Sequence, residues 1–415
     1  MFALMKRLGG LLSRKDLLAV FLMIFIADLV MGVFSPTFSL YARSLGASLT
    51  LIGALGSMPG LMRIASSIPL GMISDAKGRK GVMMSGMLLL AVSTYLCAVV
   101  LNPYLLLPVR MLTGVVLTST FFIGMAYMGD IVAKADRALA SGVYTTCMGL
   151  GSAVGSALGG QMVGQLGYAT TFRLAAGVAL IGFGIAWFGL TPSPKRPIAL
   201  GGAASALGKL GLLAKQPSLL AASLGYLLIM LMFQAAIVSF FPVYADSLFI
   251  SQVAIGSMFA IRGLASTVVR LPTGMLMTRF ASRHVMVGAV SLGMAMVFGI
   301  CFLTEPILLT ILLAGEGVCF GVFITSSQVF ITEQFTESDR GTAMGVYSMT
   351  GSIAVSAGPF LLGAVADLWG LRAVFWFTSA LVFVGILALV YLSSRPSPVP
   401  VIQAGGEGGK TKGVI

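Results

Sequence analysis

Charged side chains are scarce in this sequence: aspartate, glutamate, lysine and arginine make up 9% of its 415 residues, and histidine occurs once. Soluble domains carry about a quarter of their residues as charged side chains, so the composition excludes an ordinary soluble fold. Apolar residues make up 58% of the chain, and the mean hydropathy is +1.01. This composition is typical of a chain that lies largely within a lipid bilayer.

Cysteine and histidine are too few and too scattered to predict a metal centre. The four cysteines lie inside apolar runs without a metal-type spacing, so we expect neither a disulfide nor a metal site. His284 is interpreted as an ordinary surface residue at the edge of an apolar run. Because the sequence contains no nucleophile, metal or phosphate-binding constellation, we expect no enzymatic activity and no cofactor.

Twelve apolar runs recur along the chain, each long enough to cross a hydrocarbon core of about 30 Å as a helix. We therefore predict an all-α integral membrane protein with twelve transmembrane helices, numbered in chain order. The first run is too long for a signal peptide and is interpreted as an uncleaved anchor. The predicted cores are residues 17–42, 50–74, 81–101, 104–129, 139–164, 170–190, 218–245, 252–278, 284–303, 305–331, 341–366 and 371–393.

Lysine and arginine predict the orientation, because basic loops stay on the cytoplasmic side during insertion. With the N-terminus inside, 19 of the 26 basic residues fall in cytoplasmic segments, 3 outside and 4 within helices. We therefore predict a multi-pass protein of the plasma membrane, the inner membrane in a Gram-negative bacterium, with both termini cytoplasmic. The net charge of +13 follows from this topology and from attraction to anionic lipid, without a nucleic-acid partner.

The chain matches itself at a fixed offset of 203 residues, through loops as well as helices. An ungapped register of this kind indicates a duplication, since chance apolar similarity would not keep loop glycines and charges in place. Each half holds six predicted helices, so both halves enter the membrane from the same side as parallel repeats. Matched pairs include Gly71 and Gly274, Tyr41 and Tyr244, Pro69 and Pro272, Asp136-Arg137 and Asp339-Arg340, Gly142 and Gly345, and Gly155 and Gly358.

The repeat and the composition predict five segments. They are a cytoplasmic N-terminal segment (1–16), an N-terminal six-helix bundle (17–190), a cytoplasmic linker rich in proline and glycine (191–217), a C-terminal six-helix bundle (218–393) and a disordered cytoplasmic tail (394–415).

The loop between predicted helices 2 and 3 has the pattern G-x-x-x-D-x-x-G-R-K, formed by Gly71, Asp75, Gly78, Arg79 and Lys80. This pattern closely resembles the signature loop of the major facilitator superfamily of membrane transporters, and the resemblance extends from about residue 17 to 393. It implies the major facilitator fold, with the two six-helix halves as its repeats. A basic loop with a glycine turn is the simpler interpretation, but it leaves the aspartate and the spacing unexplained.

The resemblance also implies a conformational latch. In that family the loop aspartate contacts the N-terminal end of helix 11 in the opposite half and closes the cytoplasmic side. Such a contact is favourable, because a helix N-terminus carries partial positive charge and unpaired N–H groups that stabilise a carboxylate. Here helix 11 would begin near Arg340 and Gly341, beside Arg137. The second copy of the loop has Thr278 in place of the aspartate, so we expect the latch to be one-sided.

Charged residues inside predicted helices are costly in lipid, so we expect them to face a shared aqueous cavity or to pair with one another. Purely structural ion pairs are the alternative. There are six: Asp28, Arg63, Arg110, Arg262, Arg270 and Glu316. Their sum of +2 favours an anionic or anion-bearing amphiphilic substrate.

Asp28 and Arg110 both fall near mid-membrane, where a pair is possible. Their positions resemble the proton-coupling aspartate and arginine of proton-driven exporters in the superfamily, which implies a proton-coupling role. Arg262, Ser266 and Arg270 recur at helical spacing on one face of helix 8. With Arg63, Gln234 and Glu316, they are the predicted substrate-binding residues.

Helix 5 contains the small residues Gly142, Gly151, Gly155, Ser156, Gly159 and Gly160. Their spacing resembles the antiporter pattern of the superfamily, except that Ser156 stands at the proline position. Ordinary close packing of helices is the alternative explanation.

The leading hypothesis is a secondary active transporter that exports a small organic or amphiphilic compound in exchange for protons, as a functional monomer. The runner-up is an organic-anion importer or exchanger on the same fold. A third possibility is a non-transporting membrane receptor or assembly protein, because fold does not fix function.

Overall fold

The computed structural model describes residues 7, 9–193, 216–277, 279–335 and 337–395. Long helices dominate these residues, since lipid offers no partner to a backbone amide outside a helix. Ten of the helices run as α1 Lys15–Ser44, α2 Leu49–Lys77, α3 Arg79–Val99, α4 Pro103–Ile131, α7 Pro217–Ser247, α8 Gln252–Leu276, α9 Ser282–Gly299, α10 Pro306–Gln334, α11 Glu337–Trp369 and α12 Leu371–Ser394.

The remaining membrane-length helix among the described residues, Arg137–Gly189, is 53 residues long and contains two of the predicted spans. It bends at Gly167, whose φ of 77° lies in the left-handed region that favours glycine. We number its arms α5 (residues 137–166) and α6 (residues 168–189). Gly370, which is 203 residues further on, separates α11 from α12 with a φ of 85°. The described residues thus contain the twelve predicted helices, and the prediction of an all-α membrane fold is confirmed.

Several predicted features lie outside the described residues. They are residues 1–6 and 8 of the N-terminal segment, the linker between residues 194 and 215, Thr278 in the second loop copy, and the tail after residue 395.

Wider, π-type turns interrupt α4 at Leu117–Phe122 and α7 at Leu231–Val238. Such turns change which side chains share a helix face and often occur at functional sites. The turn in α7 includes Phe233 and Gln234, which line the central cavity described below. The local backbone therefore helps to position this part of the cavity wall.

The two halves meet closely at one end of the bundle, which we call the closed end. A Cβ added to Gly363 would lie 3.2 Å from the Cα of Gly53, and one added to Gly256 would lie 2.8 Å from the Cα of Gly160. These are the same two positions in each repeat, because Gly53 and Gly256, and Gly160 and Gly363, are 203 residues apart. Backbone contacts of α2 with α11 and of α5 with α8 therefore seal this end.

The opposite end, which we call the basic end because it carries Lys77, Arg79 and Lys80, is arranged differently. The repeat-equivalent glycines of α2, α5, α8 and α11 near this end have open space around them. A Cβ added to any of them would meet no described atom within 4 Å, as found for Gly71, Gly142, Gly274 and Gly345. The halves diverge toward the basic end, and a cavity lies between them.

Candidate substrate cavity

A central cavity of about 420 Å³ lies between the two halves. Side chains from α1, α2, α4, α5, α7, α8, α10 and α11 line it, so both repeats contribute to its wall. The volume suits a small organic molecule, for which binding pockets usually measure about 300–1,000 Å³. The structure thus provides the shared cavity that the intramembrane charges predicted.

Asp28 of α1 lines this cavity, and its charged neighbour is Arg270 of α8, in the other half. No hydrogen bond or ion pair joins Asp28 to another residue in the described part of the chain. The two opposite charges therefore face each other across the cavity without direct contact.

Arg110 also lines the cavity, but the structure does not pair it with Asp28. Its Nε–H donates to the backbone oxygen of Leu55 in α2 (3.2 Å), and its guanidinium lies 4.4 Å from the centre of the Phe38 ring. The predicted Asp28–Arg110 pair is not formed, because a backbone carbonyl and an aromatic face already hold the guanidinium. The proton-coupling role of the two residues stays a prediction.

Arg262 of α8 and Glu316 of α10 form a buried ion pair, with Arg262 Nε 2.5 Å from Glu316 Oε2. The two residues are 4% and 1% exposed. Gly317 allows the pair to form, since a Cβ there would lie 2.4 Å from the backbone oxygen of Arg262. Arg262 belongs to the cavity wall, whereas Glu316 lies behind it and is not among the described lining residues.

Aromatic rings flank the Arg262 guanidinium. The centres of the Phe233 and Phe320 rings lie 3.7 Å and 5.2 Å from its central carbon, and both rings line the cavity. Cation–π contact of this kind stabilises a desolvated guanidinium. In the C-terminal half, the cavity wall thus contains one arginine that is fixed by an ion pair and flanked by two apolar ring faces.

The other predicted substrate-binding residues, Arg63, Gln234, Ser266 and Arg270, all line the cavity. The Arg63 guanidinium lies 4.6 Å from the centre of the Phe122 ring. The structure therefore brings the predicted set together, with Glu316 one layer behind.

The loop between α2 and α3 is held by its own half. Asp75 lies 3.3 Å from Arg79, and Arg79 Nε also lies 2.5 Å from Asp130 at the end of α4. Lys80 Nζ donates to the backbone oxygens of Trp187 and Leu190 at 2.8 and 2.6 Å, which places a cation at the C-terminal end of α6.

Among the residues that the structure describes, no contact joins Asp75 to the start of α11 in this conformation. Arg340 instead donates to the backbone oxygens of Phe335 and Thr332, and Arg137 donates to that of Val132. Gly341 has no described atom within 4 Å of an added Cβ. Because the two halves diverge at the basic end, the latch stays a prediction for the opposite conformation.

The small residues of α5 pack against backbone, except for Gly142, which lies in open space. A Cβ at Gly151, Gly155 or Gly159 would lie 2.0 to 2.9 Å from backbone atoms of α1, whereas Gly160 faces α8. Ser156 Oγ donates to the backbone oxygen of Gly32 (3.2 Å). The structure thus shows close packing for this pattern, while its link to antiport stays a prediction.

Sequence reasoning missed several residues of functional interest. Phe233 and Phe320 carry no signal that separates them from the other 24 phenylalanines of the chain. Asp130 and Asp367 lie near helix ends, where a carboxylate is common. Asp367 could have been noticed, because acidic residues are scarce in the connections away from the basic end.

The family model of the Major Facilitator Superfamily matches residues 20–306 and 222–413. The chain therefore belongs to the major facilitator superfamily, and it is a multi-pass membrane transporter of that family. The sequence-based identification is confirmed.

The chain is 23% identical over 387 residues to an uncharacterised MFS-type transporter of Methanocaldococcus jannaschii, covering 90% of this chain and 97% of that protein. It is 29% identical over 169 residues to the multidrug resistance protein MdtG of Enterobacter lignolyticus, which covers 39% of this chain and 40% of MdtG. Among solved structures, a bacterial homologue of the human lysosomal transporter Spinster, inward-facing and occupied, superposes with a TM-score of 0.79. That match covers 92% of this chain and 98% of the homologue at 14% identity, so it shows the fold alone.

Proposed function

We propose that the protein exports a small organic or amphiphilic compound in exchange for protons, by alternating access of the central cavity. The observation that carries the proposal is Asp28: a carboxylate in the cavity wall, without a hydrogen-bonded partner among the described residues, opposite Arg270 of the other half. The multidrug resistance protein MdtG, to which part of the chain is similar, supports export.

The charges suggest how protons could drive the cycle. When Asp28 is ionised, it attracts Arg270 across the cavity and favours conformations in which the two approach each other. Protonation removes this attraction and lowers the relative free energy of conformations that separate them. Because α1 and α8 belong to different halves, the protonation state of one side chain acts on the position of both halves.

The proposal includes an orientation and a division of the chain. The basic end would face the cytoplasm, in line with the positive-inside rule, so the present conformation would be open to the inside. The bundles 17–190 and 218–393 would rock against each other around the cavity, with the closed end opening as the basic end closes.

An organic-anion importer or exchanger on the same fold is the second candidate. Four arginines among the lining residues, Arg63, Arg110, Arg262 and Arg270, favour an anion. A receptor or assembly protein is less well supported, since these charges lie at an open cavity. Uptake measured in right-side-out and in everted vesicles separates export from import.

The proposed coupling is tested in everted membrane vesicles acidified by respiration. The probes are 2-naphthalenesulfonate, norfloxacin and ethidium, an anion, a zwitterion and a cation, and a pH-sensitive dye reports the lumen. Export in exchange for protons predicts that a transported probe raises the lumenal pH, and that Asp28→Asn abolishes this response. Accumulation of a probe against its concentration gradient that persists in Asp28→Asn, or after an uncoupler collapses the pH gradient, would contradict the proposal.

A further inference from the structure

Arg262 is held by Glu316 but uses only part of its hydrogen-bonding edge. An arginine and a carboxylate often make two parallel bonds, through Nε and Nη2. Here the Nε–H donates to Oε2 of Glu316 at 2.5 Å. Arg262 Nη2 and Glu316 Oε1 are buried and have no hydrogen-bond partner within the described residues. Arg262 lines the cavity, and an unsatisfied buried donor costs free energy, so a ligand acceptor that reaches Nη2 would remove that cost.

Arg270 supplies a second donor on the same face of α8. Its Nε is also buried without a hydrogen-bond partner in the part of the chain that the structure describes. The two arginines are separated by two helical turns, or about 12 Å along the axis. The unsatisfied atoms of the two arginines are N–H donors on cations, so they bind acceptor oxygens and would repel a cationic group.

The surroundings of Arg262 are apolar. Phe233 and Phe320, whose ring centres lie 4.9 Å apart, cover the guanidinium and line the cavity. Met230 and Tyr226 extend this lining along α7. A ligand that reaches the donors therefore also meets aromatic surface, which suits a molecule with an anionic group on an apolar body.

The repeat shows that the fold itself does not demand these charges. At an offset of 203 residues, Arg262, Arg270 and Glu316 correspond to Pro59, Ser67 and Thr113 in the first half. The first half builds the equivalent helix packing without an ion pair at this place. The helix packing of this fold therefore does not by itself require the pair.

We propose that Arg262 and Arg270 form an anion-binding site, which takes the acceptor oxygens of a sulfonate, carboxylate or phosphate group whose apolar body packs on Phe233 and Phe320. Glu316 is a positioning residue that holds the Nε of Arg262 and leaves Nη2 without a hydrogen-bond partner among the described residues. The site rests on the proposed function in one respect: it takes the central cavity as the place where substrate binds.

The test measures binding to the full-length protein in lipid nanodiscs by titration calorimetry. The probes are 2-naphthalenesulfonate and its uncharged isostere 2-naphthalenesulfonamide. We expect the sulfonate to bind about tenfold or more tightly than the sulfonamide, as a charge-assisted hydrogen bond should give. Equal affinities, or no detectable binding of the sulfonate, would overturn the site.

Variants test which residues cause the preference for the sulfonate over the sulfonamide. Two variants should each bring the ratio of sulfonate affinity to sulfonamide affinity close to one. They are Arg270→Gln and the double variant Arg262→Gln with Glu316→Gln. The double variant removes both charges and so avoids leaving a carboxylate buried without its partner. Arg279→Gln is the control, because Arg279 is an exposed arginine beyond the end of α8. A preference that persists in both cavity variants would overturn the assignment.

Glu316 is tested by the ratio of the two affinities, which a general loss of stability would not change. Glu316→Gln retains an oxygen that accepts from Arg262 Nε, and it should keep the preference for the sulfonate. Glu316→Ala should lose most of it. Equal ratios in the two variants would contradict the positioning role.

The outcomes separate this site from the proposed function. Proton-coupled transport of ethidium without a sulfonate preference would overturn the anion site and leave export standing. A clear sulfonate preference in a protein that accumulates its compound without a pH gradient would overturn the proposed export in exchange for protons and leave the anion site standing.

Discussion

Asp367, near the end of α11, links the two halves at the closed end. Its carboxylate oxygens accept hydrogen bonds from the backbone N–H groups of Leu49 and Thr50 at 3.1 and 2.8 Å. These are the first two residues of α2, in the other half. The N–H groups at a helix N-terminus lack partners within the helix and carry partial positive charge, so the carboxylate caps α2.

Asp367→Ala should destabilise the contact between the halves at the closed end by about 1–2 kcal/mol, the usual cost of losing a helix cap. Both hydrogen bonds lie at least partly in solvent, which keeps the estimate below that for two buried charged bonds. The contact requires the halves to meet at this end. Its loss should therefore shift the population toward conformations open at this end by roughly 5- to 30-fold.

Distances between two spin labels measure this shift. The labels are placed at Ser44→Cys and Phe249→Cys, exposed positions at the end of α1 and in the α7–α8 connection, both at the closed end. The background replaces the native cysteines, Cys97, Cys147, Cys301 and Cys319, by alanine. We expect Asp367→Ala to increase the fraction of long distances, whereas the control Asp246→Ala, an exposed carboxylate at the same end, should not. An unchanged distance distribution in Asp367→Ala would refute the cap as a link between the halves.

Three further predictions concern other contacts. Gly160→Val should force α5 and α8 apart, because even its Cβ would lie 2.5 Å from the backbone oxygen of Gln252. We expect it to destabilise the protein by about 1–3 kcal/mol and to slow transport. Gly177→Val, at a glycine in open space, is the control and should have neither effect. Asp75→Asn should favour conformations open at the basic end in spin-label distances across that end and slow turnover, and an altered substrate range would contradict a latch role. Glu316→Ala should lower stability by about 3–5 kcal/mol in thermal unfolding, since it leaves Arg262 buried and unpaired, whereas the exposed Glu305→Ala should not.

The helices and the repeat could be predicted because two simple constraints act on every residue. Lipid requires long apolar helices, and duplication keeps glycines such as Gly167 and Gly370 in register through the loops. The cavity could also be anticipated, since charges such as Asp28 and Arg270 are too costly to face lipid. These predictions depend on where residues lie along the chain, which the sequence states directly.

Partners within the cavity could not be predicted with the same certainty. Depth along a helix placed Asp28 and Arg110 at similar levels, but helix rotation and the backbone oxygen of Leu55 decide which groups meet. The π-type turn at Leu231–Val238 shifts the helical register that would otherwise predict which face of α7 lines the cavity. Contacts between halves, such as the Asp367 cap, depend on the conformation and leave no periodic signal.

The central claim is that Asp28 couples proton movement to transport. The most direct measurement compares two modes of transport in proteoliposomes for any compound that the vesicle assay identifies as transported: accumulation driven by an imposed pH gradient, and exchange of labelled for unlabelled compound without a gradient. We expect Asp28→Asn to lose the driven accumulation and to retain exchange, because exchange needs no change in the protonation of Asp28. Driven accumulation that persists in Asp28→Asn at the wild-type level would contradict the claim.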